Sequence, residues 1–170
     1  MKFINKYSYN IFIAISISII LRLIFLSTYG DFSLENEWGT LYKNLKTHGV
    51  LAFRSFEGNL IPSVYMPPLY AYFIFFIDYL KPNKFDLVNS ILVIQILLSS
   101  ISIYYFNKIN LMMFNKKISI ISSYFFSLFP LNIYASIQIS SISLQIFLSI
   151  IFLYLILQIL SNKNNLKILI

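Results

Sequence analysis

The sequence predicts an all-α integral membrane protein, with about four transmembrane helices and a large external loop that carries an amphipathic helix after the first span. Of the 170 residues, 58% are hydrophobic and only 11% are charged, whereas soluble domains are about 25% charged. The apolar residues also fall into several runs near the ~20 residues that cross a bilayer. Because cysteine is absent, the sequence offers no disulfide framework and no thiolate metal site.

The charges are distributed as in a multi-pass membrane protein. All six acids lie between residues 31 and 86, while both ends of the chain are basic and the formal net charge is +7. Lysines between apolar spans are typical of the cytoplasmic side of a membrane. We therefore expect no nucleic-acid partner, and we interpret residues 1–170 as a single membrane domain.

Residues 8–29 are predicted to form the first transmembrane helix. Lys2 and Lys6 precede it, which predicts a cytoplasmic N-terminus. A secretory signal peptide is the alternative interpretation. Arg22 within the run and the lack of a small-residue cleavage site favour an uncleaved anchor.

Three further spans are predicted, at residues 86–106, 118–134 and 136–160, the second of these interrupted by Pro130. Residues 68–80 are the ambiguous segment, because 13 helical residues cover about 20 Å of a hydrocarbon core about 30 Å thick. If this segment crosses the membrane, the basic loop and tail lie outside. If it lies along the outer interface, residues 31–85 form one external loop; we favour this second topology.

The external loop is predicted to contain an amphipathic helix over residues 33–49, with Ser33 as its N-cap and Gly49 as its C-terminal stop. Its apolar stripe consists of Trp38, Leu41, Tyr42 and Leu45. With that stripe lying on the membrane, Glu35 and Glu37 would flank it on opposite sides near the interface. Such acids either solvate the loop or carry chemistry, and their spacing leaves both open. Residues 50–65 are predicted to be extended, with a turn at 57–59.

Other polar and aromatic residues also admit two interpretations. Arg22, about seven residues from the outer end of the first span, either snorkels to the headgroups or meets a lipid phosphate. His48 is the only histidine, so a multi-histidine metal site is excluded and we interpret it as a surface residue. The aromatic residues near the double proline form either an interfacial belt or a sugar-stacking platform. They are Tyr65, Tyr70, Tyr72, Phe73, Phe75 and Phe76.

The order of these features resembles the polytopic C-type glycosyltransferases, the bacterial family that includes aminoarabinose transferases and protein O-mannosyltransferase-like enzymes. The likeness covers nearly the whole chain. Its most specific part is "MPPLYAYF" at 66–73, which is similar to the family's Pro-Pro-Leu-Tyr signature. The other matching features are Arg22 late in the first span, the acidic Glu35-Asn36-Glu37-Trp38, "NLKTHGVLAF" at 44–53, and the Phe-Pro helix in "SSYFFSLFPLNIYASIQISS" at 122–141.

The resemblance implies transfer of a sugar from a polyprenyl-phosphate donor in the membrane to a glycan, lipid or protein acceptor, at the outer face of a bacterial inner membrane. It assigns the general base to Glu37, with Glu35 second, and a phosphate-facing cation to Arg22 or Arg54. The remaining substrate-binding residues it implies are Tyr65, Pro67, Pro68 and Tyr70. It implies no cofactor; a divalent metal is compatible with it but is not indicated.

The chain departs from the family pattern in two respects. The family usually places a further acid after the Phe-Pro helix, where this sequence has Gln138 and Gln145. Family members also have many more spans, so we expect an N-terminal portion of such an enzyme. The alternative is a non-catalytic membrane module, a degenerate remnant or accessory subunit that binds a polyprenyl lipid. A small transporter is disfavoured, because the charges gather in the external loop instead of at mid-membrane.

Overall fold

The computed structural model describes residues 6–56, 58–62 and 66–167. Within them the chain forms seven helices and one antiparallel hairpin. The helices are α1 (Lys6–Tyr29), α2 (Glu37–His48), α3 (Pro68–Leu80), α4 (Leu87–Met113), α5 (Lys116–Leu128), α6 (Pro130–Ser136) and α7 (Ile142–Lys167). The strands β1 (Ala52–Phe56) and β2 (Asn59–Pro62) lie between α2 and α3.

Three of the helices are long and apolar enough to cross a membrane, over Ser8–Tyr29, Leu87–Met113 and Ile142–Ser161. The pair α5–α6 makes a fourth candidate if it is taken as one span bent by 51°. By length and composition, the described residues therefore fit a helical, multi-pass membrane protein. α3 is apolar but too short to belong to this set.

The bend between α5 and α6 follows from Pro130. Proline has no backbone N–H and cannot continue the hydrogen-bond ladder of the preceding helix. The N–H groups of Asn132 and Ile133 both donate to the carbonyl of Phe129, at 3.0 and 3.2 Å. The first turn of α6 therefore starts again from that residue.

Two span boundaries differ from the prediction. α4 continues to Met113 instead of ending near residue 106, because its polar residue Asn107 is buried and donates to Ser119 Oγ and Ser123 Oγ of α5 at 2.8 and 2.9 Å. α7 begins at Ile142 instead of 136. The preceding connection is irregular because its carbonyls bind other elements: Gln95 Nε2 donates to the Gln138 carbonyl at 2.7 Å.

The amphipathic helix α2 starts later than predicted. Its N-cap is Asn36, whose side chain accepts from Gly39 N at 3.2 Å, and the prediction of Ser33 was wrong. Ser33 instead donates its hydroxyl and its N–H to the carboxylate of Asp31. Gly49 ends the helix with φ 70°, as predicted.

The apolar stripe of α2 packs on protein and not on the membrane, which corrects our expectation. Trp38, Leu41 and Tyr42 are buried in a cluster with α3 and the first turns of α4. The rings of Trp38 and Tyr70 meet edge to face, 4.9 Å apart. α3 contributes Ala71, Ile74 and Ile77 to the same cluster, while α4 contributes Ile91 and Leu92.

The predicted extended segment is the hairpin. β1 and β2 pair antiparallel, with Phe56 opposite Asn59, and Gly58 adopts φ 80° in the turn between them. Asn44 Nδ2 donates to the Ala52 carbonyl at 2.7 Å, which attaches the hairpin to α2.

Candidate functional site

The two acids at the start of the external loop line one cleft. This acid cleft has a volume of about 400 Å³. Its walls are Glu35, Asn36, Glu37, Trp38, Thr40, Phe53 and Ile139. Both glutamates are exposed to solvent, while Trp38 is buried at the base. The structure therefore gathers both predicted acids in one concave site that also includes the hairpin and the α6–α7 connection.

Asn36 fixes the position of the acids. Its side-chain oxygen caps α2, and its Nδ2 donates to the Ile139 carbonyl at 3.0 Å. Glu37 is the first residue of α2, where the positive end of the helix dipole favours a carboxylate. One asparagine thus holds the start of α2 against the α6–α7 connection, with an acid on either side of it in sequence.

The outer end of α1 is attached to the same connection. Asp31 N donates to the Ile137 carbonyl at 3.1 Å, and Gln138 Nε2 donates to the Tyr29 carbonyl at 2.9 Å. Together with the Asn36 contact, these bonds join the end of α1, the start of α2 and residues 137–139 into one rim. The acid cleft opens at this rim.

An apolar groove lies between α1 and the α5–α6 bend. Its volume is about 490 Å³. It is lined by Leu21, Phe25, Tyr29, Leu128, Pro130, Ile133, Tyr134 and Ile137. Two of these residues belong to the rim, because Tyr29 and Ile137 each offer a carbonyl to the bonds described above. The groove therefore includes Leu21, within α1, and also Tyr29 and Ile137 of the rim at which the acid cleft opens.

Arg22 lies in the interior of the helix bundle, with 0% exposure. It does not snorkel, which corrects that interpretation. Its Nε and Nη2 donate to Ser99 Oγ of α4, at 3.2 and 2.9 Å. Its Nη1 donates to Ser18 and to the Ser127 carbonyl of α5. Snorkelling is unnecessary because α1, α4 and α5 all supply oxygen acceptors at the depth of the guanidinium.

The predicted substrate-binding residues near α3 lie in different surroundings. Pro67 and Pro68 are exposed, at the N-cap and the first residue of α3. Tyr70 is 1% exposed, and its hydroxyl donates to Gln95 Oε1, so it supports Trp38 from behind the acid cleft. Burial raises the pKa of Tyr70, which keeps its hydroxyl a proton donor.

Two further predicted residues have no described side chain. Tyr65 lies outside the described residues. Arg54 follows Phe53 in β1, and Phe53 lines the acid cleft. Only the backbone position of Arg54 is described.

A charged cluster lies at the other end of α2. The Asp78 carboxylate of α3 accepts from Lys46 Nζ at 2.7 Å and from Tyr42 Oη at 2.8 Å, and Lys81 Nζ lies 3.6 Å from its second oxygen. Partial burial opposes ionisation, but the hydrogen bonds from Lys46 and Tyr42 and the charges of Lys46 and Lys81 outweigh it. The pKa of Asp78 is therefore below its usual value.

Three residues that organise this region had no role predicted from the sequence: Asn36, Asp78 and Gln95. Gln95 carried a usable signal, because it is the one strongly polar side chain in the apolar run from 91 to 98. Asn36 is a preferred N-cap type next to the start of the stripe. Asp78 offered no comparable signal, since its partner Lys46 is 32 residues away.

Within the described ranges, no group of three or more His, Cys, Asp or Glu side chains is placed to hold a metal ion. The acid cleft offers two carboxylates only. No family model, no curated protein and no solved structure matches the chain.

Proposed function

We propose that this chain is a membrane glycosyltransferase, or the N-terminal portion of one, that transfers a sugar from a polyprenyl-phosphate donor to an acceptor hydroxyl. The observation that carries the proposal is the meeting of two surfaces at one rim. The acid cleft with Glu35 and Glu37 includes Ile139 of that rim, and the apolar groove includes Tyr29 and Ile137 of the same rim. A lipid-linked sugar needs both an apolar track and a polar reaction site.

Glu37 is the general base of this proposal. Its carboxylate takes the proton of the acceptor hydroxyl as the hydroxyl oxygen attacks the anomeric carbon of the donor. The bond between that carbon and the phosphate oxygen breaks, and polyprenyl phosphate leaves with the electron pair. A positioned carboxylate in this role contributes roughly 10²–10⁴-fold to the rate. Glu35, exposed in the same cleft, is the second candidate.

The donor's prenyl chain fits the apolar groove between α1 and the α5–α6 bend. In that pose the phosphate reaches the rim, next to the acid cleft. Arg22 lies behind the groove wall, since it follows Leu21 in α1 and its guanidinium binds the carbonyl that precedes Leu128. Its fixed positive charge acts on the phosphate through a region of low dielectric. Arg54, next to Phe53 of the cleft, is the candidate for direct phosphate contact.

The proposed membrane arrangement has the rim on the outer side of a bacterial inner membrane and the N-terminus in the cytoplasm. α1, α4, the α5–α6 pair and α7 cross, whereas α3 packs beside α2. The lysines at 108, 116 and 117 then lie with Lys2 and Lys6 on the cytoplasmic side, as positive charges usually do.

The test is a transfer assay with the purified chain, a panel of polyprenyl-phosphate hexoses and pentoses, and a cell-envelope extract as acceptor. Wild type is expected to release polyprenyl phosphate, and Glu37→Gln to lower that rate by at least about 10²-fold. Glu35→Gln is the matched control in the same cleft and should lose less.

Two outcomes would decide against parts of the proposal. Equal rates for wild type and Glu37→Gln would remove Glu37 as the base. Absence of transfer by correctly inserted wild type, with retained binding of polyprenyl phosphate, would favour the alternative of a non-catalytic membrane module.

A further inference from the structure

A second cleft, separate from the acid cleft and the apolar groove, lies between α3 and α4. Its volume is about 630 Å³, within the range of pockets that bind small ligands. Its lining is mostly apolar, with three aromatic rings. The lining residues are Phe73, Phe76, Ile77, Leu80, Lys81, Pro82, Phe85, Asn89, Ser90, Val93 and Ile94. We call it the α3–α4 cleft.

The cleft has an apolar end and a polar end. Phe73 on α3 and Ile94 on α4 line one end, while Lys81, Asn89 and Ser90 line the other. From Phe73 to Lys81 the cleft follows α3 for eight residues, or about 12 Å at 1.5 Å per residue. A ligand that fills it therefore combines an apolar chain with a polar group at one end.

The polar end holds one lysine, Lys81, which belongs to a cluster with an excess of positive charge, while the Asp86 carboxylate accepts from Asn89 N at 3.0 Å as the cap of α4. The cluster that Asp78 forms with Lys46 and Lys81 contains one carboxylate and two ammonium groups. Lys46 makes the short contact with Asp78, at 2.7 Å. Lys81 stands at 3.6 Å from Asp78, beyond the distance of a good N–H···O hydrogen bond. Among the described residues the Lys81 ammonium therefore keeps its N–H donors available for an anion.

We propose that the α3–α4 cleft binds an anionic membrane lipid, with its phosphate at Lys81 and its chain between Phe73 and Val93. The depth of the cleft supports a lipid. Its polar end lies at the short α3–α4 connection, and its apolar end lies beside Gln95, the residue that joins α4 to the α6–α7 connection. The cleft thus runs from the end of a span toward its interior, as a lipid chain does. The proposal is independent of the sugar-transfer chemistry.

The first test measures lipid preference. The full chain, purified in a neutral detergent and stripped of lipid, is mixed with equal amounts of phosphatidylglycerol and phosphatidylcholine, and retained lipid is counted by native mass spectrometry. Wild type is expected to retain phosphatidylglycerol preferentially. Lys81→Gln should reduce that preference about fivefold, the factor that one lysine contributes near an anionic lipid surface.

Lys84→Gln is the matched control, because Lys84 is an exposed lysine three residues away and does not line the cleft. It should keep the wild-type preference. An unchanged preference in Lys81→Gln, or an equal loss in Lys84→Gln, would overturn the proposal in favour of a diffuse surface charge.

A second pair of variants tests the position of the chain independently of charge. Val93→Trp fills the α3–α4 cleft, whereas Leu97→Trp adds the same ring one helical turn away, outside it. Both positions are 47% exposed, so both variants should fold, which the thermal unfolding midpoint in detergent will verify. Val93→Trp is expected to lose the retained lipid and Leu97→Trp to keep it; retention by Val93→Trp would exclude the cleft.

Discussion

The Tyr70 hydroxyl of α3 donates a hydrogen bond to Oε1 of Gln95 in α4. Gln95 in turn donates through Nε2 to the Gln138 carbonyl, at 2.7 Å, in the connection between α6 and α7. Tyr70 and Gln95 are both at most 1% exposed. This bond chain fastens α3 and the base of the acid cleft to the helices that are long enough to span a membrane.

Removal of the Tyr70 hydroxyl should therefore destabilise the protein. Tyr70→Phe keeps the ring on Trp38 but leaves the buried Gln95 Oε1 without that donor, at a cost of about 1–3 kcal/mol. Chemical unfolding in mixed micelles measures this cost. Tyr72→Phe, on the same helix at 50% exposure, should stay within about 0.5 kcal/mol of wild type. Equal effects of the two substitutions would show that the Tyr70–Gln95 bond adds no stability.

Replacement of Arg22 by lysine should destabilise the protein more than replacement by methionine. One ammonium cannot reach Ser99, Ser18 and the Ser127 carbonyl together as the guanidinium does, and it leaves a charge buried with fewer partners. Methionine removes the charge, and the freed serines can bond to the carbonyls of their own helices. We expect the free energy of unfolding of Arg22→Met to exceed that of Arg22→Lys by at least about 1 kcal/mol. A more stable Arg22→Lys would mean that the site needs a positive charge and not the shape of the guanidinium.

Much of the fold was predictable from local sequence. Apolar runs longer than a bilayer crossing leave few alternatives to spanning helices. Gly49 supplied the left-handed residue that ends α2, and Pro130 the break between α5 and α6. These features depend on residues close together in the chain. The spacing of Glu35 and Glu37 predicted opposite flanks of the α2 stripe, and the family resemblance made each a candidate base. Neither predicted that both acids line one cleft.

The hydrogen-bond partners on other helices and loops could not be predicted from the sequence. Asn36 bonds to Ile139, 103 residues away, and Arg22 bonds to Ser99, 77 residues away. Both contacts decide whether a polar residue faces solvent, lipid or protein, and neither leaves a periodic signal. For the same reason the α2 stripe was expected on the membrane, because an apolar stripe fits a protein surface as well as a lipid one.

Because of the Asp78 cluster, the stability of the protein should decrease as the pH becomes acidic. Because the folded-state pKa of Asp78 lies below its unfolded value of about 4, its stabilising contribution is complete above about pH 4 and is lost as the pH falls through the folded pKa. Thermal midpoints in detergent between pH 3 and 7 measure the loss. Asp78→Asn should lower the thermal midpoint near neutral pH and make its fall at acidic pH (the acid limb of the pH profile) less steep.

Asp86→Asn is the control for this pH dependence. Asp86 caps α4 through its side chain, and asparagine caps equally well. The variant should keep the acid limb of wild type. An acid limb that is unchanged in Asp78→Asn would assign the pH dependence to other carboxylates.

The proposed topology predicts opposite accessibility for two exposed lysines. The chain has no cysteine, so Lys84→Cys and Lys116→Cys each introduce a unique thiol at an exposed position. In intact cells a membrane-impermeant maleimide should label Lys84→Cys at once. Lys116→Cys should react only after lysis. The reverse pattern, with Lys116→Cys labelled from outside and Lys84→Cys only after lysis, would indicate that α3 crosses the membrane or that the N-terminus is outside. Labelling of both or of neither from outside would indicate that α4 does not cross.

Asn36 should govern the acid cleft through two separable bonds. Asn36→Ala loses the cap of α2 and the bond to Ile139, and should cost about 1–2 kcal/mol of unfolding free energy. Asn36→Ser keeps a capping oxygen but is too short to reach Ile139, so it should recover about half of that loss.

Trp38, the only tryptophan, is two residues away and reports the local change. We expect its emission to shift to longer wavelength in both variants, as water enters beside Ile139. Ser33→Ala, at the site first predicted to cap α2, should leave both stability and emission at wild-type values; a larger effect there than at Asn36 would return the cap to Ser33.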